Sequence, residues 1–96
     1  MNRINEVKDI QLSNGFTMSV NTYMQLQALA EVCLLAFSEG ETIKCRDLFG
    51  EEFWMTLPDH YTRRLVGRGL AHMVAHKKMN LDFLAKRGTN KIYTVV

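Results

Sequence analysis

An apolar-rich stretch between Asn21 and Gly40 is the feature that most limits how this chain can fold. Asn21 or Thr22 is suited to cap a helix there, and Gly40 is suited to end it. The apolar residues between them are Met24, Leu26, Leu29, Ala30, Val32, Cys33, Leu34, Leu35, Ala36 and Phe37. They surround much of the helix rather than form one stripe, which predicts burial on several sides. A chain of 96 residues has room for one small core, so we expect a second copy of the chain to cover part of this helix.

The first twenty residues precede this helix and contain a turn motif. Apolar residues alternate with mostly polar ones on both sides of Asn14-Gly15, a pair that favours a β-hairpin. The flanking runs are short, so a loose arm is an equal alternative. We therefore divide the chain into an N-terminal arm or hairpin, residues 1–20, and one domain, residues 21–96.

A short strand and a second helix are predicted after Gly40. The run from Glu41 to Cys45 alternates in polarity, as a strand does. The helix is expected to begin near Arg46 or Asp47 and to include Leu48, Phe49, Phe53 and Trp54, although Gly50 weakens it.

A third helix is predicted after Pro58, since proline is favoured in the first helical turn and Asp59 suits the positive end of a helix. Its apolar side chains recur at helical spacing and form one face, comprising Leu65, Val66, Leu70, Met73 and Val74. Arg64, Arg68 and Ala71 fall on the opposite side of the same helix.

The end of the chain changes to the alternating pattern of strands. Met79 to Phe83 form one β-prone run and Ile92 to Val96 form another. The segment from Ala85 to Asn90 is polar and contains Gly88, which predicts a turn between two strands of a hairpin.

The two halves of the chain differ in charge although the formal net charge is only +2. Residues 1–57 contain four basic and eight acidic side chains, a net charge of −4. Residues 58–96 contain eight basic and two acidic side chains, a net charge of +6. This asymmetry favours a polyanion as the partner of the second half, although an unevenly charged, solvated surface would have the same composition.

The predicted order of elements is helix, short strand, helix, turn, helix and hairpin. Over residues 21–96 this order resembles the winged helix-turn-helix family, in particular small bacterial or phage regulators. The resemblance rests on the run Thr42–Leu48, the segment Thr62–Leu70 and the final hairpin through Tyr93. It implies a mainly α fold with a small β-hairpin, and a protein that binds double-stranded DNA and regulates transcription.

In that family the third helix lies in the DNA major groove and the hairpin reaches the phosphate backbone. The resemblance therefore implies that Arg64 or Arg68 presents its guanidinium group to guanine edges, while the other basic residues contact phosphates. The candidate nucleic-acid-binding residues are Tyr61, Arg63, Arg64, Gly67, Arg68, Lys86, Arg87 and Lys91.

Two features depart from the family pattern. Gly67 and Gly69 both lie in the predicted recognition helix, where each glycine is unfavourable. Gly67 would allow a close approach to DNA, and Gly69 would allow tight helix packing, but the pair also predicts a possible kink. Glu51 and Glu52 lie near the region expected to face the DNA backbone, where they would repel phosphates unless they point away.

No nucleophile–base pair, glycine-rich phosphate loop or metal-binding spacing stands out, so we expect neither catalysis, nor a metal, nor a cofactor. His72 and His76 have a spacing that suits a metal on a helix, but no third ligand is evident. The apolar stretches are too short to span a bilayer and the chain opens without a signal-peptide pattern, so we expect a cytoplasmic protein without a membrane partner.

Two other functions remain open. The acidic first half and the apolar helix 21–39 suit a winged-helix module that binds proteins and not DNA. Binding to RNA or to a single strand is the third possibility. A homodimer, formed through helix 21–39 or through the N-terminal arm, is compatible with each of them.

Overall fold

The computed structural model describes residues 9–96, which fold into four α-helices and two small antiparallel sheets. A mainly helical fold with a C-terminal β-hairpin was predicted, and both features are present. The elements are β1 (Asp9–Gln11), β2 (Thr17–Ser19), α1 (Val20–Leu34), β3 (Thr42–Ile43), α2 (Cys45–Phe49), α3 (Glu51–Thr56), α4 (His60–Ala75), β4 (Leu81–Arg87) and β5 (Asn90–Val95).

The N-terminal hairpin consists of β1 and β2, which pair antiparallel. A short 3₁₀ turn joins them, and its Asn14 and Gly15 have φ angles of 57° and 78°. Asn-Gly is suited to this left-handed backbone, so the turn forms where the sequence predicted it. A hairpin and a loose arm were the two alternatives for residues 1–20, and the structure has a hairpin from Asp9 onward. The rest of the predicted arm, residues 1–8, lies outside the described residues.

Helix α1 is shorter than predicted, and its cap lies two or three residues earlier. Its cap is Ser19, whose Oγ accepts a hydrogen bond from the Thr22 amide at 3.2 Å, and not Asn21 or Thr22. Its last residue is Leu34, because the following amides turn back to carbonyls three residues earlier and tighten the chain. Gly40 does not cap the helix, since its amide donates to the Val95 carbonyl.

One side of α1 is buried and the opposite side is exposed. Tyr23, Leu26 and Ala30 are at most 7% exposed, while Val32 and Leu35 are 65% and 85% exposed. Burial on several sides was predicted, and a single chain does not provide it.

The predicted second helix is two helices, α2 and α3, and the prediction of one helix was wrong. Gly50 lies between them with a φ angle of 93°, which ends α2 and redirects the chain. Glycine adopts this conformation without a steric penalty, whereas most residues do not. The turn brings Phe49 and Phe53 together, with ring centroids 5.2 Å apart.

Helix α4 is continuous, so the glycine pair within it does not produce a kink. Asp59 is its cap and accepts from the Thr62 amide at 2.8 Å. This hydrogen bond lowers the pKa of the Asp59 carboxyl group. Pro58 therefore lies before the cap and not in the first turn, where it was predicted.

The C-terminal sheet has the strand order β3-β5-β4, with both pairs antiparallel. The β4–β5 turn is Gly88-Thr89 alone, with a φ angle of 60° at Gly88. The predicted turn from Ala85 to Asn90 was too wide, because Lys86 and Arg87 continue β4 as far as the turn.

The core lies where α1, α2 and α4 meet the C-terminal sheet. Leu70, Met73 and Leu81 are its largest fully buried side chains. Leu12 and Met18 of the N-terminal hairpin are also buried, at 8% and 4% exposure. Each contributes about 1.5–3 kcal/mol by burial, so the hairpin is part of the folded domain. Along residues 9–96, no helix has both the length and the apolar composition needed to cross a membrane.

Candidate nucleic-acid interface

The predicted recognition helix, α4, turns its basic side chains away from the core. Val66, Leu70 and Met73 are buried on one side. Tyr61 and Arg64 are exposed on the other side, and Arg68 and Ala71 are half-buried beside them. We call these four residues the α4 surface. Three of the predicted contact residues, Tyr61, Arg64 and Arg68, therefore lie together on one face of one helix.

Phe16 of the N-terminal hairpin packs onto the α4 surface. Its ring stacks on that of Tyr61, with centroids 5.1 Å apart and planes 20° from parallel. The guanidinium carbon of Arg68 lies 4.5 Å from the same ring centroid, and that of Arg64 lies 5.5 Å from it. Cation–π contacts at such exposed sites contribute about 0.5–1 kcal/mol each.

Arg68 has a second contact with the hairpin. Its Nη1 donates to the Ser13 Oγ at 3.4 Å. Its Nε is buried and has no hydrogen-bond partner within residues 9–96. The side chain therefore has a defined place between the hairpin and α4 rather than a fully solvated one.

Arg63 and Gly67 occupy different environments on the same helix. The Arg63 Nε donates to the Trp54 carbonyl at 3.4 Å, which links α4 to the end of α3. A Cβ atom added at Gly67 would meet no atom within 4 Å, so this part of the helix backbone is open to a partner. By contrast, a Cβ at Gly69 would lie 3.0 Å from the Met18 Cε and 3.1 Å from the Leu26 Cδ2.

The C-terminal hairpin concentrates positive charge beside its turn. Lys86 lies directly opposite Lys91 in the strand register, and Arg87 lies opposite Asn90. Like charges in directly opposed positions destabilise a sheet. Within residues 9–96 one ion pair forms, between Arg46 and Glu51, so no described carboxylate compensates these cations. An anionic partner would relieve the repulsion.

Glu51 and Glu52 were expected to repel DNA phosphates unless they point away, and Glu51 is paired with a cation. Glu51 accepts from the Arg46 Nε at 2.9 Å, and this hydrogen bond lowers the pKa of Glu51. Its negative charge is thus compensated by Arg46. Glu52 is exposed on the same short helix, α3.

His72 lies on α4 and contacts Tyr23 of α1, and His76 follows the last residue of α4. The Tyr23 hydroxyl and the His72 Nδ1 form a hydrogen bond of 2.8 Å, and the imidazole rings of His72 and His76 stack with centroids 4.0 Å apart. Burial, together with the nearby charges of His76 and Lys78, lowers the pKa of His72. Among the described residues no group of three or more His, Cys, Asp or Glu side chains is placed to hold a metal ion.

The structure contains a second exposed feature, which is apolar. Met24, Ala28, Val32 and Leu35 lie along one face of α1 and its end, and the three larger side chains are at least 60% exposed. An open groove of about 510 Å³ adjoins this face and is lined in part by Leu34, Leu35, Phe37, Met79 and Val96.

Comparisons with protein-family models, with curated proteins and with solved structures gave no match to this chain.

The contact of the N-terminal hairpin with α4 was not predicted from the sequence. The alternation around Asn14-Gly15 predicted the hairpin itself, and Gly69 predicted a close packing partner on α4. Nothing in the sequence identified Met18 as that partner. Phe16 was consequently missed as a neighbour of Arg64 and Arg68.

Proposed function

We propose that this protein is a winged-helix regulator that binds double-stranded DNA, with α4 in the major groove and the β4–β5 hairpin as the wing on the phosphate backbone. The observation that supports it best is the placement of basic side chains at two exposed features, the α4 surface and the wing turn. The order of α1, β3, α2, α3, α4 and the β4–β5 hairpin, with β3 paired to β5, is compatible with the winged-helix architecture.

The residues have different roles in this proposal. Arg64 is the best candidate for contact with base edges, because it is exposed and has no hydrogen-bond partner among residues 9–96. Lys86, Arg87 and Lys91 hold phosphates as the wing meets the backbone. Arg63 and Tyr61 contact phosphates beside the groove, and Gly67 lets the helix backbone approach the duplex.

The role we assign is binding and not catalysis, and it needs neither a metal nor a cofactor. Burial raises the pKa of the Cys45 thiol to about 12, so at neutral pH the thiol is protonated and a poor nucleophile. We also propose that the protein acts on DNA in the cytoplasm.

Duplex binding across a salt series tests the proposal. With about six phosphate contacts, the logarithm of the affinity falls against the logarithm of salt with a slope near −5. Lys86→Ala and Lys91→Ala each reduce the magnitude of that slope by about 1. Arg46→Ala removes the same charge from a residue paired with Glu51 and leaves the slope unchanged.

Fluorescence anisotropy with a labelled duplex measures these slopes directly. Absence of binding at low salt contradicts the proposal. Equal changes of the salt slope in Arg46→Ala and in the two wing variants also contradict it. Such a result would show that binding depends on the net charge of the protein and not on the wing.

We also propose that the protein forms a homodimer through α1. The supporting observation is the exposed face of Met24, Val32 and Leu35 beside an open groove, on a helix whose only charged residue is Glu31. Two copies of such a face can pack their apolar side chains together, and the groove beside it also contains Glu31, Lys77 and Lys78, charges of both signs. A dimer presents two copies of α4 to two half-sites.

Sedimentation equilibrium of the wild type and of Val32→Glu tests the dimer. The wild type is expected to sediment as a dimer at micromolar concentration and Val32→Glu as a folded monomer. Gln11→Glu, a matched charge change at an exposed position of β1 and outside this face, serves as the control. A monomeric wild type would contradict the dimer and favour the alternative function, a module that binds another protein through this face.

A further inference from the structure

We propose that Phe16 is a positioning residue, which orients the guanidinium groups of Arg64 and Arg68 for contact with base edges of duplex DNA. The tip of the N-terminal hairpin then belongs to the DNA interface. This inference rests on the function proposed for α4, and it adds a residue from a part of the chain that no resemblance assigned to DNA.

The geometry places the Phe16 ring between two turns of α4. Tyr61 and Arg68 are seven residues apart, a rise of about 10.5 Å along a helix. The ring lies 5.1 Å from the Tyr61 centroid and 4.5 Å from the Arg68 guanidinium carbon, which together nearly span that rise. The Phe16 ring therefore contacts both Tyr61 and Arg68, and we call these three side chains the column.

The column restrains an otherwise flexible side chain. A solvated arginine samples many rotamers and loses that freedom when it binds. Arg68 is already restrained by the Phe16 ring and by the Ser13 Oγ at 3.4 Å, so less entropy is lost when DNA binds. A contact with base edges needs a defined direction of the guanidinium group, whereas a contact with phosphates needs it less. Restraint of the Arg68 side chain therefore favours contact with base edges.

The hairpin is a permanent part of this surface and not a removable cover. Displacing its tip would expose Leu12 and Met18, both buried in the core. Met18 also fills the space that Gly69 leaves on α4, with its Cε 3.0 Å from the position of a Cβ there. The core contacts of Leu12 and Met18 therefore hold both ends of the tip against the domain.

The hairpin contributes geometry and not charge. Between residues 9 and 19 the only charged side chain is Asp9, so this segment adds no cation that could hold a phosphate. Removal of the Phe16 ring should consequently change how well the protein distinguishes sequences, and leave the salt dependence of binding unchanged.

Selection of bound duplexes from a random pool supplies the probe for the test. Affinities are then measured for the selected duplex and for a scrambled duplex of the same composition. Phe16→Leu retains an apolar side chain but lacks the aromatic face, and should lower the ratio of the two affinities roughly three- to tenfold with an unchanged salt slope. Phe16→Tyr retains the face and should restore the ratio.

Two further variants separate positioning from folding. Phe83→Leu makes the same change at an exposed ring on β4 and should leave the ratio unchanged. Ser13→Ala removes the hydrogen-bond acceptor of Arg68 at an exposed turn and should lower the ratio by a smaller factor. Thermal unfolding establishes whether each variant is folded. If Phe16→Leu does not fold, Ser13→Ala still tests the positioning role.

The outcomes are distinguishable. If the wild type binds the selected duplex and the ratio is unaffected by both Phe16→Leu and Ser13→Ala, the positioning role is overturned while the proposed function stands. If Phe16→Tyr is as defective as Phe16→Leu, the ring acts through packing and the inference is overturned. If the wild type binds no duplex, the proposed function and the inference fail together.

Discussion

Single residues decide where α4 begins and how closely it packs. Asp59 begins the helix by capping the Thr62 amide, and Gly69 brings Met18 and Leu26 against the helix backbone. From the sequence we predicted that Asp59 lies at the start of this helix and that Gly69 allows close packing, because both follow from the chemistry of single residues. We did not predict the partner of Gly69, since that depends on a hairpin fifty residues earlier in the chain.

The two glycines of α4 should respond differently to alanine. Gly67→Ala should stabilise the fold by about 0.5–1 kcal/mol, because the new methyl group meets open space and alanine favours a helix. Gly69→Ala should gain less or lose stability, because its Cβ would lie only 3.0–3.1 Å from Met18 and Leu26. Urea unfolding measures both changes. Equal stabilisation by the two variants would contradict the close packing at Gly69.

Gly67→Ala also tests the proposed approach of α4 to DNA. The added methyl group lies on the part of the helix expected to approach the duplex. The variant should therefore be more stable than the wild type and yet bind duplex DNA more weakly. Unchanged DNA affinity in a stabilised Gly67→Ala variant would show that this part of α4 does not approach the duplex.

His72 should make the stability of the fold depend on pH. The folded state lowers the pKa of His72, so the unfolded chain binds more protons once the pH falls below its ordinary value of about 6.5. Stability is then fully present above that pH and decreases as the pH falls toward the lowered pKa. His72→Gln should remove this part of the pH dependence, and His60→Gln, at an exposed position, should not.

Chemical unfolding at pH 7.5 and pH 5 measures this difference for the wild type and for both variants. The same loss of stability in the wild type and in His72→Gln would contradict a lowered pKa of His72 in the folded state.

At the scale of elements, local sequence determined which segments form helices and strands, while tertiary contacts determined their ends. The Asn14-Gly15 turn and the apolar face of α4 were predictable because each depends on neighbouring residues. Gly50 splits the second helix, and pairing of β4 with β5 extends the final hairpin to Gly88-Thr89. The split follows from the backbone conformation of one glycine, whereas the extent of the hairpin depends on pairing between two segments, which a periodicity in one segment does not contain.

At the scale of the whole molecule, the fold separates two surfaces. The basic side chains that we assign to DNA lie on α4 and near the turn of the β4–β5 hairpin, whereas the exposed apolar side chains of α1 form a face beside a groove that Lys77 and Lys78 also line. The charge asymmetry of the sequence indicated the first surface. We therefore propose that DNA binds to the first surface and that a second copy of the chain binds to the second. The contribution of the N-terminal hairpin to the basic surface emerged from the fold alone.

The most direct test of the DNA-binding surface is a titration of ¹⁵N-labelled protein with a duplex at low salt, followed by amide chemical shifts. The account predicts that the largest changes occur in residues 60–68 of α4, in residues 86–91 of the β4–β5 hairpin and in residues 13–16 of the N-terminal hairpin. The exposed face of α1 should change little. Changes confined to α1, or no change at low salt, would contradict the account.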